Sequence, residues 1–120
     1  MSKILIVDDS QADLKNLERI VAAENYQIVK ASSGTEAIVK AKLEKPDLIL
    51  MDIIMEDMDG FNACRELSKD PALADIPVVF VSSKNQKADH MWAVKQGAKG
   101  LISKPYEDDQ IIEQIKKYAA

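Results

Sequence analysis

Five short apolar runs alternate along the chain with longer segments whose apolar residues recur at helical spacing. Lys3-Ile4-Leu5-Ile6-Val7 is continuous and closes on Asp8-Asp9, and Gln27-Ile28-Val29-Lys30-Ala31 is less apolar. Leu48 to Met51, Ile76 to Val81 and Gly100 to Ile102 complete the set. Such runs are too short for helices and rich in branched residues, which predicts strands, most of them buried on both faces. Between them, Leu14, Leu17, Ile20 and Val21 set a first helix opened by Ser10 and stopped near Asn25. Thr35 to Leu43 reads as a second, patterned by Ala37, Ile38, Ala41 and Lys42 and ended by Pro46. Phe61 to Leu67, Gln86 to Gln96 and a segment starting at Asp108 or Asp109 supply three more. The third shows Phe61, Cys64 and Leu67 on one face, Gly97 closes the fourth, and Ile111, Ile112, Ile115 and Tyr118 stripe the last.

Strands alternating with helices predict an α/β fold. Its form is a five-stranded parallel sheet in (βα)5 order, helices on both faces, in a single domain spanning residues 1–120. Composition narrows the class without changing that picture. Hydrophobic content of 47% with 30% charge is ordinary for a folded domain, and a net charge of -4 argues against broad nucleic-acid binding. The lone Cys64 excludes an internal disulfide framework, and no apolar run is long enough to span a bilayer. A cytoplasmic chain without membrane insertion is expected.

Ligands of open parallel sheets gather outside the carboxyl ends of the strands. In this chain those ends carry Asp8 and Asp9, Asp52, Ser82 and Lys104. Each has a plainer explanation alone: the acids as helix caps, Ser82 as a turn hydroxyl, Lys104 as a solvated loop residue. Together they form a recognisable chemistry. Crowded carboxylates must take up protons or hold a cation, and oxygen ligands with no Cys or His favour a hard divalent ion, above all Mg²⁺. An ammonium and a hydroxyl nearby can stabilise a phosphoryl group. One carboxylate is left to act as a nucleophile.

This combination resembles the signature of response-regulator receiver domains, the chemotaxis-type phosphoacceptor proteins with a flavodoxin-like fold, over the whole chain. The resemblance implies that Asp52 accepts a phosphoryl group from a histidine kinase. It implies that Asp9, Asp52 and the backbone carbonyl of Ile54 bind Mg²⁺, with Asp8 acting through water and Lys104. Ser82 and Lys104 would contact the phosphoryl group, and the Lys104-Pro105 bond would be cis. The segment from Ser82 to Asp89, Trp92 and Gln96-Gly97-Ala98 are most similar to single-domain regulators of type IV pilus twitching motility.

Two features depart from the family pattern. The position three before Lys104, usually aromatic, is Leu101, which offers neither ring nor hydroxyl. Met55-Glu56 replaces the usual Met-Pro, and Ile54 and Lys84 occupy the two positions that tune loss of the acyl phosphate in this family. The expected partner face combines the fourth helix, fifth strand and fifth helix, with Lys87, His90, Trp92, Val94 and Leu101 as its candidate residues. No output domain follows the fifth predicted helix, so a monomeric, stand-alone switch is expected, its downstream protein partner unnamed. The alternatives are a scaffold indifferent to phosphorylation, or a sink draining phosphoryl groups from a kinase. A phosphohydrolase is disfavoured because Ile54 stands where a second Asp would be.

Overall fold

A computed structural model describes residues 2–119. The order is β1 (Lys3–Val7), α1 (Gln11–Ala23), β2 (Gln27–Ala31), α2 (Gly34–Glu44), β3 (Leu48–Met51), α3 (Gly60–Lys69), β4 (Val78–Ser82), α4 (Lys87–Lys95), β5 (Gly100–Ser103) and α5 (Asp108–Tyr118). All pairings are parallel and the strands lie in the order β2-β1-β3-β4-β5. The less apolar β2 is therefore an edge strand.

Alternation along the buried strands divides the core into two. Leu5, Val7, Ile49, Met51, Val78 and Phe80 pack under α2, α3 and α4; Ile4, Ile6, Leu48, Leu50, Val79 and Val81 pack under α1 and α5. Side chains of successive strand residues point to opposite faces, so a continuous apolar run serves both layers. Leu14, Leu17, Ile20 and Val21 bury the predicted stripe of α1, and Ile111 and Ile115 that of α5. Phe61, Cys64 and Leu67 do the same for α3; burial pushes the Cys64 thiol up to about 11, so it stays protonated.

Three predicted details need correction. Strand β4 begins at Val78, two residues later than the apolar run, because Pro77 has no N–H for a ladder; its carbonyl still accepts from Ile49 N–H at 2.9 Å. Helix α2 runs to Glu44, one residue past the predicted Leu43, and closes before Pro46 on Lys45, which takes the left-handed conformation with φ 45° and donates its N–H to the Ala41 carbonyl. Lys42, placed in the apolar pattern of α2, is exposed. The bond between Lys104 and Pro105 is cis.

Candidate active site

Parallel strands entering from one side deliver the ends of β1, β3, β4 and β5 to a common edge. The Asp52 N–H donates to the Val7 carbonyl at 3.0 Å, tying the residue after β3 to the end of β1. The Lys104 N–H donates to the Ser82 carbonyl at 3.0 Å, tying the residue after β5 to the end of β4. Asp8, Asp52 and Ser82 are buried, whereas Asp9 is exposed. Asp8, Asp9 and Asp52 each present a carboxylate oxygen, and the three oxygens lie within 4.8 Å of one another. An all-oxygen, doubly buried, partly open set of this kind fits a hard divalent cation.

Lys104 is the cationic centre of the same edge. Its Nζ donates to Asp8 Oδ2 at 2.8 Å, to Asp52 Oδ2 at 3.2 Å and to Asp13 Oδ2 at 2.9 Å. Desolvation acts against its charge, but the bonds to Asp8 and Asp13 and the field of Asp52 outweigh it and raise its pKa. Asp8 is thus joined to Lys104 directly. Asp13, the acid in the first turn of α1, is not among the strand-end residues that the sequence points to. Its signal was positional: α1 starts at the carboxyl edge, so the side chain at N3 of that helix overhangs the site.

Burial lifts the Asp8 carboxyl above its ordinary value of 3.8; the Lys104 and Ser10 N–H hydrogen bonds oppose the rise without cancelling it. Between the unfolded and folded values the native chain holds more protons, so the stability contribution of Asp8 falls as pH rises. Asp8→Asn is therefore expected to gain stability over the parent chain as pH climbs through a window starting near 3.8, and then to hold that gain. Urea unfolding of both chains at matched pH checks this. A gap that narrows with rising pH would contradict it.

The loop after Asp52 is held from several sides. Asp52 Oδ1 accepts from the N–H groups of Ile53 at 2.7 Å and Ile54 at 3.4 Å. The Gly60 N–H donates to the Ile53 carbonyl at 2.7 Å, and a Cβ on Gly60 would collide with the Asp52 backbone oxygen. That close approach requires glycine. Asp59 caps α3 through the Asn62 N–H at 2.8 Å. Asp57 accepts from the N–H groups of Gly34 at 3.2 Å and Thr35 at 3.3 Å at the start of α2. The Thr35 side chain first, then these backbone donors, hold its carboxyl below the ordinary value. The Ile54 side chain points outward, 56% exposed, so only its backbone belongs to the loop interior.

On the other flank, the Lys84 N–H donates to Ser82 Oγ at 3.1 Å. The Lys84 ammonium pairs with the buried Asp89 at 3.1 Å, and Asp89 also accepts from the Gln86 N–H that caps α4. Burial alone would raise the Asp89 carboxyl, yet Lys84 and Gln86 together keep it low. Asp89, Ala93 and Gln96 form the buried side of α4. Each helical residue turns by about 100°, so Lys87, His90 and Val94 fall on one flank and Trp92 across the helix on the other. The candidate partner face is thus divided. Leu101 is partly buried and packs against the core beneath α4, while His90 and Lys87 are exposed. Among the described residues, no helix is long and apolar enough to cross a membrane.

Comparison with known proteins supplies the family. Residues 4–116 match the family model described as the response regulator receiver domain. The chain is 38% identical over 120 residues to protein PilH of Pseudomonas aeruginosa, covering 100% of this chain and 99% of that one. The solved receiver domain of a signal transduction histidine kinase from Syntrophus aciditrophicus superposes with a TM-score of 0.89 at 33% identity, over 98% of this chain and 89% of that one. A CheX-CheY-BeF3-Mg complex from Borrelia burgdorferi contains a chain that matches with a TM-score of 0.90 at 27% identity, over 97% of this chain and 87% of its own. With a family match that runs from β1 into α5 and a relative 38% identical over the full chain, the chain belongs to the response regulator receiver domain family.

Proposed function

We propose that this chain works as a stand-alone phosphorylation switch in which Asp52 accepts a phosphoryl group from a histidine kinase. One observation carries the reading: Lys104 Nζ lies between Asp8 and Asp52, at 2.8 and 3.2 Å, beside the cluster of three carboxylates. A carboxylate oxygen of Asp52 attacks the phosphorus of the donor, and the bond from phosphorus to the donor nitrogen breaks with its electron pair leaving on nitrogen. The product is an aspartyl phosphate. Asp9, Asp52 and the Ile54 carbonyl would hold Mg²⁺, which supplies positive charge to the transferring oxygens when bound. Lys104 supplies a second positive charge, and Ser82, 0% exposed at the end of β4, a hydroxyl that reads the product. The Asp8 carboxylate orients the Lys104 ammonium.

Incubation with a small acyl-phosphate donor and Mg²⁺ should add the mass of one phosphoryl group, and a chelator should prevent the addition. Absence of any gain would sink the proposal. Full-length identity of 38% to PilH supports a place in twitching motility or a related chemotaxis-like pathway in the cytoplasm. A scaffold insensitive to phosphorylation is the second reading, favoured by the aliphatic Leu101 where the family usually carries an aromatic ring. Partner affinity that changes with beryllofluoride would eliminate it.

A further inference from the structure

The Lys104 ammonium has three N–H donors, and the structure assigns each an acid: Asp8, Asp52 and Asp13. To hydrogen-bond a phosphoryl oxygen on Asp52, the ammonium must release one of them. The three acceptors are not equivalent. The side chains of Asp8 and Asp52 are 1% and 11% exposed, so losing the lysine leaves them buried and underpaired. Asp13 is 47% exposed and lines a cavity of about 430 Å³ with Asn16, Ser83, Lys104, Pro105 and Tyr106. Water can replace the lysine there at small cost.

Resting on the phosphoacceptor reading above, we propose that Asp13 is a positioning residue that holds the Lys104 ammonium in reserve and competes with the incoming phosphoryl group for it. Asp13 sits outside the three-carboxylate cluster and touches Lys104 alone within the site. Its removal therefore frees one ammonium hydrogen and leaves the cation ligands in place. The expected change is roughly two- to five-fold, about 0.4–1 kcal/mol, which lies within the range of a half-exposed ion pair.

The test is calorimetric titration of the full chain with beryllofluoride and Mg²⁺, and separately with Mg²⁺ alone. Asp13→Ala should bind the phosphoryl mimic roughly two- to five-fold more tightly than the parent chain. Asp13→Glu, which keeps a carboxylate for Lys104, should return most of the way to the parent. Glu56→Gln removes an exposed charge near the site without any contact to Lys104, and measures the general effect of charge. Affinity for Mg²⁺ alone should move no further in Asp13→Ala than in Glu56→Gln. An Asp13→Ala affinity equal to or below that of Glu56→Gln, with the parent binding normally, overturns the role of Asp13 only. A parent chain that binds no beryllofluoride overturns the phosphoacceptor reading and this inference with it.

Discussion

Asp52→Asn is expected to abolish phosphoryl incorporation while leaving the fold intact. The amide is nearly isosteric and keeps an oxygen for the Ile53 and Ile54 N–H groups, while its NH2 takes the place of the Oδ2 acceptor of Lys104, which keeps Asp8 and Asp13. It also removes one of three crowded negative charges, so the variant should unfold at no lower denaturant concentration than the parent. Mass spectrometry after incubation with the acyl-phosphate donor reads the first expectation, and urea unfolding the second. Phosphoryl gain surviving in a folded Asp52→Asn chain would move the nucleophile elsewhere. Loss of gain together with collapse of the fold would show that the residue is structural.

The largest stability effect is expected at Phe80. It is 0% exposed on β4 and meets the Phe61 ring edge to face, with centroids 5.3 Å apart and planes at 86°. Phe80 pairs in register with Met51, the residue before the proposed nucleophile. Truncation of a buried aromatic leaves a cavity that a dense core cannot close, and costs about 3–5 kcal/mol. Phe80→Ala should therefore lower the unfolding free energy by that amount, read as a lower urea midpoint with little change in slope. Phe80→Leu should recover a large part of it. A loss below about 1 kcal/mol would mean that the core around Phe61 repacks, contrary to the expected cavity cost.

Strand ends were the most legible part of the sequence. Short apolar runs located β1, β2 and β3 to the residue, and the polar terminators of β1 and β3 pointed to Asp8, Asp9 and Asp52. The start of β4 was misplaced because hydrophobicity does not register the missing N–H of Pro77. Helix α4 carried the weakest pattern: it buries Asp89 and Gln96, and leaves Met91, Trp92 and Val94 exposed at 64, 47 and 68%. An acid held by Lys84 and a helix-capping N–H looks like a surface residue to any periodicity. Asp13 and Asp57 escaped for a related reason. Each acts on a group distant in sequence, a side-chain ammonium in one case and backbone N–H groups in the other.

The loop from Asp52 to Asp59 carries a consequence for the thermodynamics of ligand capture. Asp57 fastens it to the start of α2, Gly60 presses it from below, and Asp59 anchors its far end to α3. Fixing one residue's backbone costs roughly 1–2 kcal/mol of conformational entropy. In this chain that cost is met during folding, before any ligand arrives. Binding at the acidic cluster should then show little protection of loop amides from hydrogen exchange beyond that already present in the free chain. Affinity there is set by charge and geometry. The loop is already in place.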